Sequence, residues 1–260
     1  NRILEHILPS VQKPARYDGG EYHSVVKARP AVTTRFALCY PDLYEIGMSN
    51  QELRILYDIL NRQKGVWCER CFAPWVDMEA EMRREGLLLF GLESSDPISE
   101  FDIIDFVLGY EMTDTNLLNM LDLAGLPLRA AERKELAPLV IAGGTACYNP
   151  EPLAPFVDCF LPGESEEVTL ELLALYQRAK ENLEKHTRVC LTLDEVKQFI
   201  ETEGGFAKTM WCGGLDCELK MKEQAGVTSR CMPLEQESVS DVCVCCGKPA
   251  KHMIYWGVAY

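Results

Sequence analysis

The sequence predicts an α/β protein: a parallel-sheet lobe followed by a small, cysteine-rich α+β domain. Three observations carry that prediction. Strand, turn and helix patterns alternate up to about residue 176. From about residue 181 the alternation gives way to short segments. That closing part holds two close pairs of cysteines, Cys212 with Cys217 and Cys243 with Cys246. The boundary is expected within residues 178–187, giving domains 1–180 and 181–260.

The first strand is expected in "TTRFALCYP", a short apolar run closed by proline, with a helix over "MSNQELRILYDILNR". In that helix Leu53, Leu56, Tyr57 and Leu60 recur at spacings of three and four, the signature of one buried face. "VWCERCFAP" with "DMEAEMRREG", "FDIIDFVLGYE" with "TNLLNMLDLAG", and "LVIAGGT" with "PEPLAPFV" repeat the alternation. "DCFLPGE" then leads into "SEEVTLELLALYQ", where Glu164, Glu166 and Glu167 suit a helix N-terminus. Near-continuous apolar strands separated by helices argue for a parallel sheet buried on both faces. "RAKENLEKHTR" reads as a polar bridge, and "LTLDEVKQFIETEGG" as a helix with a Gly-Gly stop.

Composition narrows the function classes. A hydrophobic fraction of 47% with 25% charged residues is that of an ordinary globular protein. No apolar run approaches the roughly 20 residues of a membrane span. The start "NRILEHILPSVQKP" has no signal-peptide pattern, so a cytoplasmic location and no membrane partner are expected. A net charge of −14 without a basic cluster argues against a direct nucleic-acid surface. In a reducing compartment the twelve cysteines read as metal ligands, redox groups or core residues rather than disulfides.

The two cysteine pairs enclose four residues ("CGGLDC") and two residues ("CVCC"), and about 25 residues separate them. Two tight turns supplying two thiolates each suit a tetrahedral metal site, and soft thiolates select zinc. Gly213, Gly214 and Gly247 let the backbone bend so that N–H groups face sulfur. The plain alternative is four ordinary buried cysteines. If all four positions are filled by protein, the zinc is structural.

From "GGFAKTMWCGGLDCELKMKEQAGVTSRC" to "VCVCCGKPAKHMIYWGVAY" the chain closely resembles the C-terminal zinc-binding domain of prolyl-tRNA synthetases, in the form shared by archaea, eukaryotes and some bacteria. The resemblance covers about residues 181–260 and implies zinc ligands at Cys212, Cys217, Cys243 and Cys246. Cys231 and Cys245 are then non-ligands, and the terminal carboxylate of Tyr260 reaches towards a synthetase active site. The catalytic and anticodon-binding domains of that family are not in these 260 residues, so no ATP, proline or anticodon site transfers.

"PDLYEIG" follows the first strand, at the carboxyl edge where open parallel sheets bind ligands. Its spacing Asp42-x-Tyr44-x-x-Gly47 has the outline of the cobalamin signature Asp-x-His-x-x-Gly, with tyrosine in place of the cobalt-ligating histidine. With "LPSVQKPARYDGGEYHSVVK", "FAPWVDME", "YEMTDTNLLNMLDLAGLPLRAAER" and "LVIAGGTACYNPEPLAPFVDCF", residues 3–176 resemble the N-terminal part of a cobalamin-binding radical-SAM family. That resemblance implies a Rossmann-like fold, a corrinoid ligand, and a role under the corrin for Gly143 and Gly144. Radical-SAM chemistry needs CxxxCxxC to hold an iron–sulfur cluster, and that spacing occurs nowhere in the chain.

Three readings follow. The leading one is a composite, a cobalamin-binding-type lobe joined to a structural zinc module, with no catalytic residues of its own. In the second, the chain is part of a prolyl-tRNA synthetase or radical-SAM enzyme whose missing pieces come from a catalytic partner chain. In the third it is an interaction module without cofactor. Minor candidates have simpler explanations. Cys68 and Cys71 form a CxxC inside an expected strand; Asp96, Glu100 and Asp102 read as a solvated acidic face; His6, His23, His186 and His252 are scattered.

Overall fold

A computed structural model of the chain describes residues 2–133, 136–233 and 236–258. It divides into two compact units, Asn1–Ala174 and Leu175–Tyr260. In chain order the first unit contains α1 (Arg2–Ile7), β1 (Thr34–Tyr40), α2 (Tyr44–Ser49), α3 (Gln51–Asn61), β2 (Val66–Phe72) and α4 (Val76–Glu85). There follow β3 (Ile103–Val107), α5 (Asp114–Leu123), β4 (Leu139–Gly143), β5 (Cys159–Leu161) and the start of α6 (Ser165–Lys185). The five strands are all parallel, in the order β2-β1-β3-β4-β5. The α/β expectation with a parallel sheet is therefore met.

Every residue of β1, β2 and β3 is buried, as strands covered on both faces require. On one face Ala37, Cys39, Cys71, Ile104, Phe106, Val140 and Ala142 pack with Leu4 and Ile7 of α1, Met78 and Met82 of α4, and Leu117, Met120 and Leu121 of α5. On the other lies α3, burying the expected stripe Leu53, Leu56, Tyr57 and Leu60. Each such side chain contributes roughly 1.5–3 kcal/mol by leaving water. One helix was expected over "MSNQELRILYDILNR", but the structure breaks it at Asn50, whose side chain caps α3 by accepting from the Leu53 N–H at 2.9 Å.

β2 is an edge strand, and the chain before β1 covers it. Trp67 Nε1 donates to the Val25 carbonyl at 2.9 Å, and the Val25 N–H donates to the Tyr57 hydroxyl at 2.7 Å. Charged side chains are paired inside this covering. Arg70 binds Glu93 at 2.7 Å and Glu21 at 2.8 Å. Arg35 pairs with the fully buried Glu69 and lies 3.7 Å over the Phe101 ring. Of the expected solvated acidic face, Glu100 is exposed, but Asp96 and Asp102 have partners within the lobe. Asp96 pairs with the Arg35 guanidinium at 3.1 Å, and Asp102 accepts from the Arg35 backbone N–H at 2.7 Å, because β1 brings both groups of Arg35 to them.

Two further expectations are overturned. "PEPLAPFV" forms turns, not a helix; Pro150, Pro152 and Pro155 cannot donate to a helical ladder. The "polar bridge" is mostly helix, since α6 continues to Lys185 through residues that are good helix formers, with Lys185 and Glu181 paired one turn apart.

The second unit holds the remaining elements: β6 (Thr187–Val189), α7 (Leu193–Thr202), β7 (Phe206–Trp211), α8 (Leu215–Ala225), β8 (Val227–Cys231) and β9 (His252–Val258). Their sheet runs β6-β7-β9-β8, parallel between β6 and β7 and antiparallel elsewhere. Val196, Phe199, Ala207, Met221, Val227, Ile254 and Trp256 form its core. Trp256 is fully buried and donates its indole N–H to Thr209 Oγ1 at 2.9 Å.

The Arg35–Glu69 pair gives a direct test of the lobe's packing. Arg35→Ala leaves a fully buried carboxylate without its cation and should cost about 3–5 kcal/mol in denaturant unfolding. The double change Arg35→Met, Glu69→Met should recover most of that loss, since neither charge then remains.

Candidate functional site

Three separate segments build a cluster of sulfur. Cys212 follows β7, and the left-handed turn at Gly213 (φ +80°) leads into α8, whose first turn carries Cys217. Cys243 and Cys246 lie in a tight turn before β9, held by the Cys243 N–H donating to the Lys248 carbonyl at 2.8 Å and by Gly247 at φ +67°. The four Sγ atoms all lie within 4.8 Å of one another. Cys212 and Cys217 Sγ are 3.6 Å apart, and Cys246 and Cys212 Sγ are 3.8 Å apart. A tetrahedron of thiolates around zinc, with Zn–S near 2.3 Å, has edges of roughly 3.8 Å. The spacing therefore fits a single four-coordinate metal ion.

The electrostatics fit as well. Burial pushes the Cys217 and Cys243 thiols up, while the Lys248 backbone N–H draws Cys246 down to about 7. Backbone N–H groups of Cys245, Cys246 and Cys212 point at the Cys243 sulfur. The donors facing sulfur thus include the cysteines' own turns and Lys248, not only the glycines that permit those turns. The four positions read as ligands are the four that meet, and Cys231 and Cys245 stand outside the cluster. Tyr260, the other residue singled out in this domain, lies outside the described residues.

At the carboxyl edge of the parallel sheet the expected residues are committed to contacts within the protein. Asp42 follows β1, accepts from the Leu43 N–H at 2.7 Å, and accepts from the Tyr110 hydroxyl at 2.7 Å. Tyr44 donates to Glu21 at 2.9 Å and meets the Phe72 ring edge-on; burial and Glu21 push its hydroxyl up to about 12. Gly47 is buried, and a Cβ there would stand 2.3 Å from the Phe72 ring. Gly144 has φ +98°, and a Cβ on it would meet the Leu108 carbonyl oxygen at 2.5 Å. Gly143 closes β4 with only ordinary contacts, the nearest being Ser165 Oγ at 3.5 Å. Tyr44, Gly47 and Gly144 thus each have a packing or hydrogen-bonding role within the lobe. The structure brings Asp42 to Tyr110 and Gly144 to Leu108, at the carboxyl ends of the neighbouring strands β1, β3 and β4.

Tyr110 was not singled out from the sequence. The neighbouring of β1 and β3, where the connections diverge to opposite sides of the sheet, is what brings its loop to Asp42. Cys68 and Cys71 lie on β2, three residues apart and so on opposite faces, which rules out a working CxxC pair. Among the described residues no helix is long and apolar enough to cross a membrane.

Comparison with known proteins finds two family profiles, whose matches overlap at residues 193–200. Residues 52–200 match a family profile described as radical SAM proteins, N-terminal, and residues 193–260 match prolyl-tRNA synthetase, C-terminal. A proline–tRNA ligase of Clostridium novyi is 54% identical over 87 residues, covering 34% of this chain and 18% of that protein. One from Ruminiclostridium cellulolyticum is 51% identical over 100 residues, covering 36% and 21%. The chain thus spans about a fifth of the length of these relatives. A solved prolyl-tRNA synthetase from Cryptosporidium parvum, complexed with L-proline and AMP, aligns with a TM-score of 0.32 at 18% identity over 66% of this chain and 42% of that one, a likeness that carries no argument. Since the first profile spans more than half of the chain, the chain belongs to the family of radical SAM proteins, N-terminal, and its closing segment is similar to the C-terminal domain of prolyl-tRNA synthetases.

Proposed function

We propose that the second unit is a zinc-stabilised module of the prolyl-tRNA ligase type, acting with catalytic and tRNA-binding parts supplied from outside these 260 residues. The single observation that carries this reading is the closure of Cys212, Cys217, Cys243 and Cys246 within 4.8 Å, inside the segment that matches the synthetase C-terminal profile. Four thiolates fill a tetrahedral shell, so the metal has no open position for water or substrate and its role is structural. Zinc bound there supplies folding free energy on the order of 10 kcal/mol. The residues of the module orient the ligands: the turns at Gly213 and Gly247 set the backbone, and N–H groups of the Cys243–Lys248 turn face sulfur.

This reading gives the chain no turnover by itself. Proline-dependent ATP–pyrophosphate exchange should be absent with the chain alone. It should rise when the chain is added to a proline–tRNA ligase from which the matching C-terminal segment has been deleted. Exchange by the isolated chain would overturn the first point, and no gain on addition would overturn the second.

A second reading, favoured by the match to the radical SAM N-terminal profile, gives the lobe a corrinoid at the carboxyl edge. Anaerobic titration with hydroxocobalamin decides it. Saturable binding without histidine-ligation bands supports the reading, and no saturation removes it, leaving a lobe closed by contacts such as Asp42–Tyr110.

The ligand set has its own test. Cys217→Ser and Cys243→Ser should each lose the metal and the cooperative unfolding of residues 175–260. Cys231→Ser and Cys245→Ser should keep one zinc per chain, measured by elemental analysis and native mass spectrometry. Metal retention in Cys217→Ser would show the assignment to be wrong.

A further inference from the structure

Asp105 stands at the centre of the parallel sheet, in register with Leu38 on β1 and Ile141 on β4, and is only 2% exposed. Its strand neighbours Ile104 and Phe106 pack among the α4 and α5 side chains. Alternation along the strand therefore sends the Asp105 carboxyl to the opposite face, where α3 lies. Its Oδ1 has no hydrogen-bond partner. Native cores leave few such atoms, and each calls for an explanation.

Three more polar side chains lie on the helices α3 and α6, of which Glu52 acts on Asp105 electrostatically. Glu52, in the first turn of α3, accepts from Ser165 Oγ at 3.2 Å. Ser165 begins α6, is 5% exposed, and lies 3.5 Å from the position a Cβ would take on Gly143. Thr169, one turn further along α6, is 1% exposed, and its Oγ1 is also without a partner. α6 runs back along the sheet from its carboxyl edge, and four residues of helix cover about 6 Å. Two strand residues cover nearly the same distance, about 6.6 Å. Two residues below Gly143 is Ile141, the register partner of Asp105. By these rises Thr169 comes to about the level of Asp105 along the sheet.

We propose that Asp105, Glu52, Ser165 and Thr169 form a second metal site in this chain, a set of oxygen donors for a hard divalent cation of the magnesium or calcium class. The donors are two carboxylates and two hydroxyls. That set favours Mg2+, Ca2+ or Mn2+ and disfavours the soft ions that a four-thiolate cluster selects. Two carboxylate charges balance one divalent ion, and the two orphaned oxygens gain a ligand in common. Without a cation, burial and the Glu52 charge push the Asp105 carboxyl up to about 8. A bound cation reverses that preference. The other titratable groups near the pair, Glu166 on α6 and the thiols of Cys39, Cys68 and Cys147, add no compensating positive charge.

The test uses the full zinc-loaded chain. Mn2+ binding is counted by electron paramagnetic resonance at an ionic strength that suppresses loose binding to the acidic surface. One tightly held ion is expected, with a saturable rise in the melting midpoint of the parallel-sheet unit on adding Mg2+ or Ca2+. Asp105→Asn should abolish both, and Thr169→Val should weaken binding severalfold. Should Asp105→Asn fail to fold, Glu52→Gln, on a half-buried side chain, takes its place.

The pH profile gives an independent reading. In cation-free buffer the folded state holds a proton that the unfolded chain releases near the ordinary carboxylate value, so stability should fall as pH rises from about 4 to about 8. Saturating Ca2+ should flatten that fall. No bound Mn2+ and no cation-dependent midpoint, together with a higher midpoint for Asp105→Asn at pH 8, would overturn the proposal and leave Asp105 a neutral buried acid.

Discussion

The convergence of four cysteine sulfurs within 4.8 Å is the constraint on which the smaller unit depends. It fastens the end of β7, the first turn of α8 and the turn before β9, three segments that are otherwise joined only through a short sheet and a small core. A core of that size gives little margin over chain entropy, and domains near this length commonly add a metal or a covalent tie. The cluster has the charge pattern of a cation site. Burial holds two thiols up, and a backbone N–H draws the exposed one down.

The larger unit is held differently. Its sheet is buried on both faces, so its strands need no internal tie, and its exposed flank is managed by covering β2 and pairing Arg35 and Arg70 with carboxylates. Such pairs add little net stability but make the burial of each partner conditional on the other. The same economy governs the carboxyl edge. Gly144 exists for the Leu108 carbonyl, Gly47 for the Phe72 ring, and Asp42 for the Tyr110 hydroxyl.

What was legible in the sequence followed short-range rules. The stripe Leu53, Leu56, Tyr57 and Leu60 needs only helical periodicity, and the cysteine pairs need only spacing. The misreadings share another cause. "PEPLAPFV" has apolar residues at helical intervals, yet its three prolines break the ladder; "RAKENLEK" has the charges of a linker, yet the propensities of a helix. Asp96 and Asp102 read as solvated because their partner, Arg35, lies some sixty residues away in sequence. Tyr44 with Glu21, and Asp105 with Glu52, were equally invisible: which residue faces which is set by register and by helix placement, and no local pattern records either.

The central claim is that one chain holds two independently stabilised units, one by two-sided burial and the other by a thiolate-bound metal. Hydrogen exchange followed by mass spectrometry, on the chain with zinc and after its removal, tests that claim most directly. Protection should collapse across residues 193–258 while residues 34–161 exchange at unchanged rates. Unchanged protection in the smaller unit after metal removal, or equal loss in both, would contradict it.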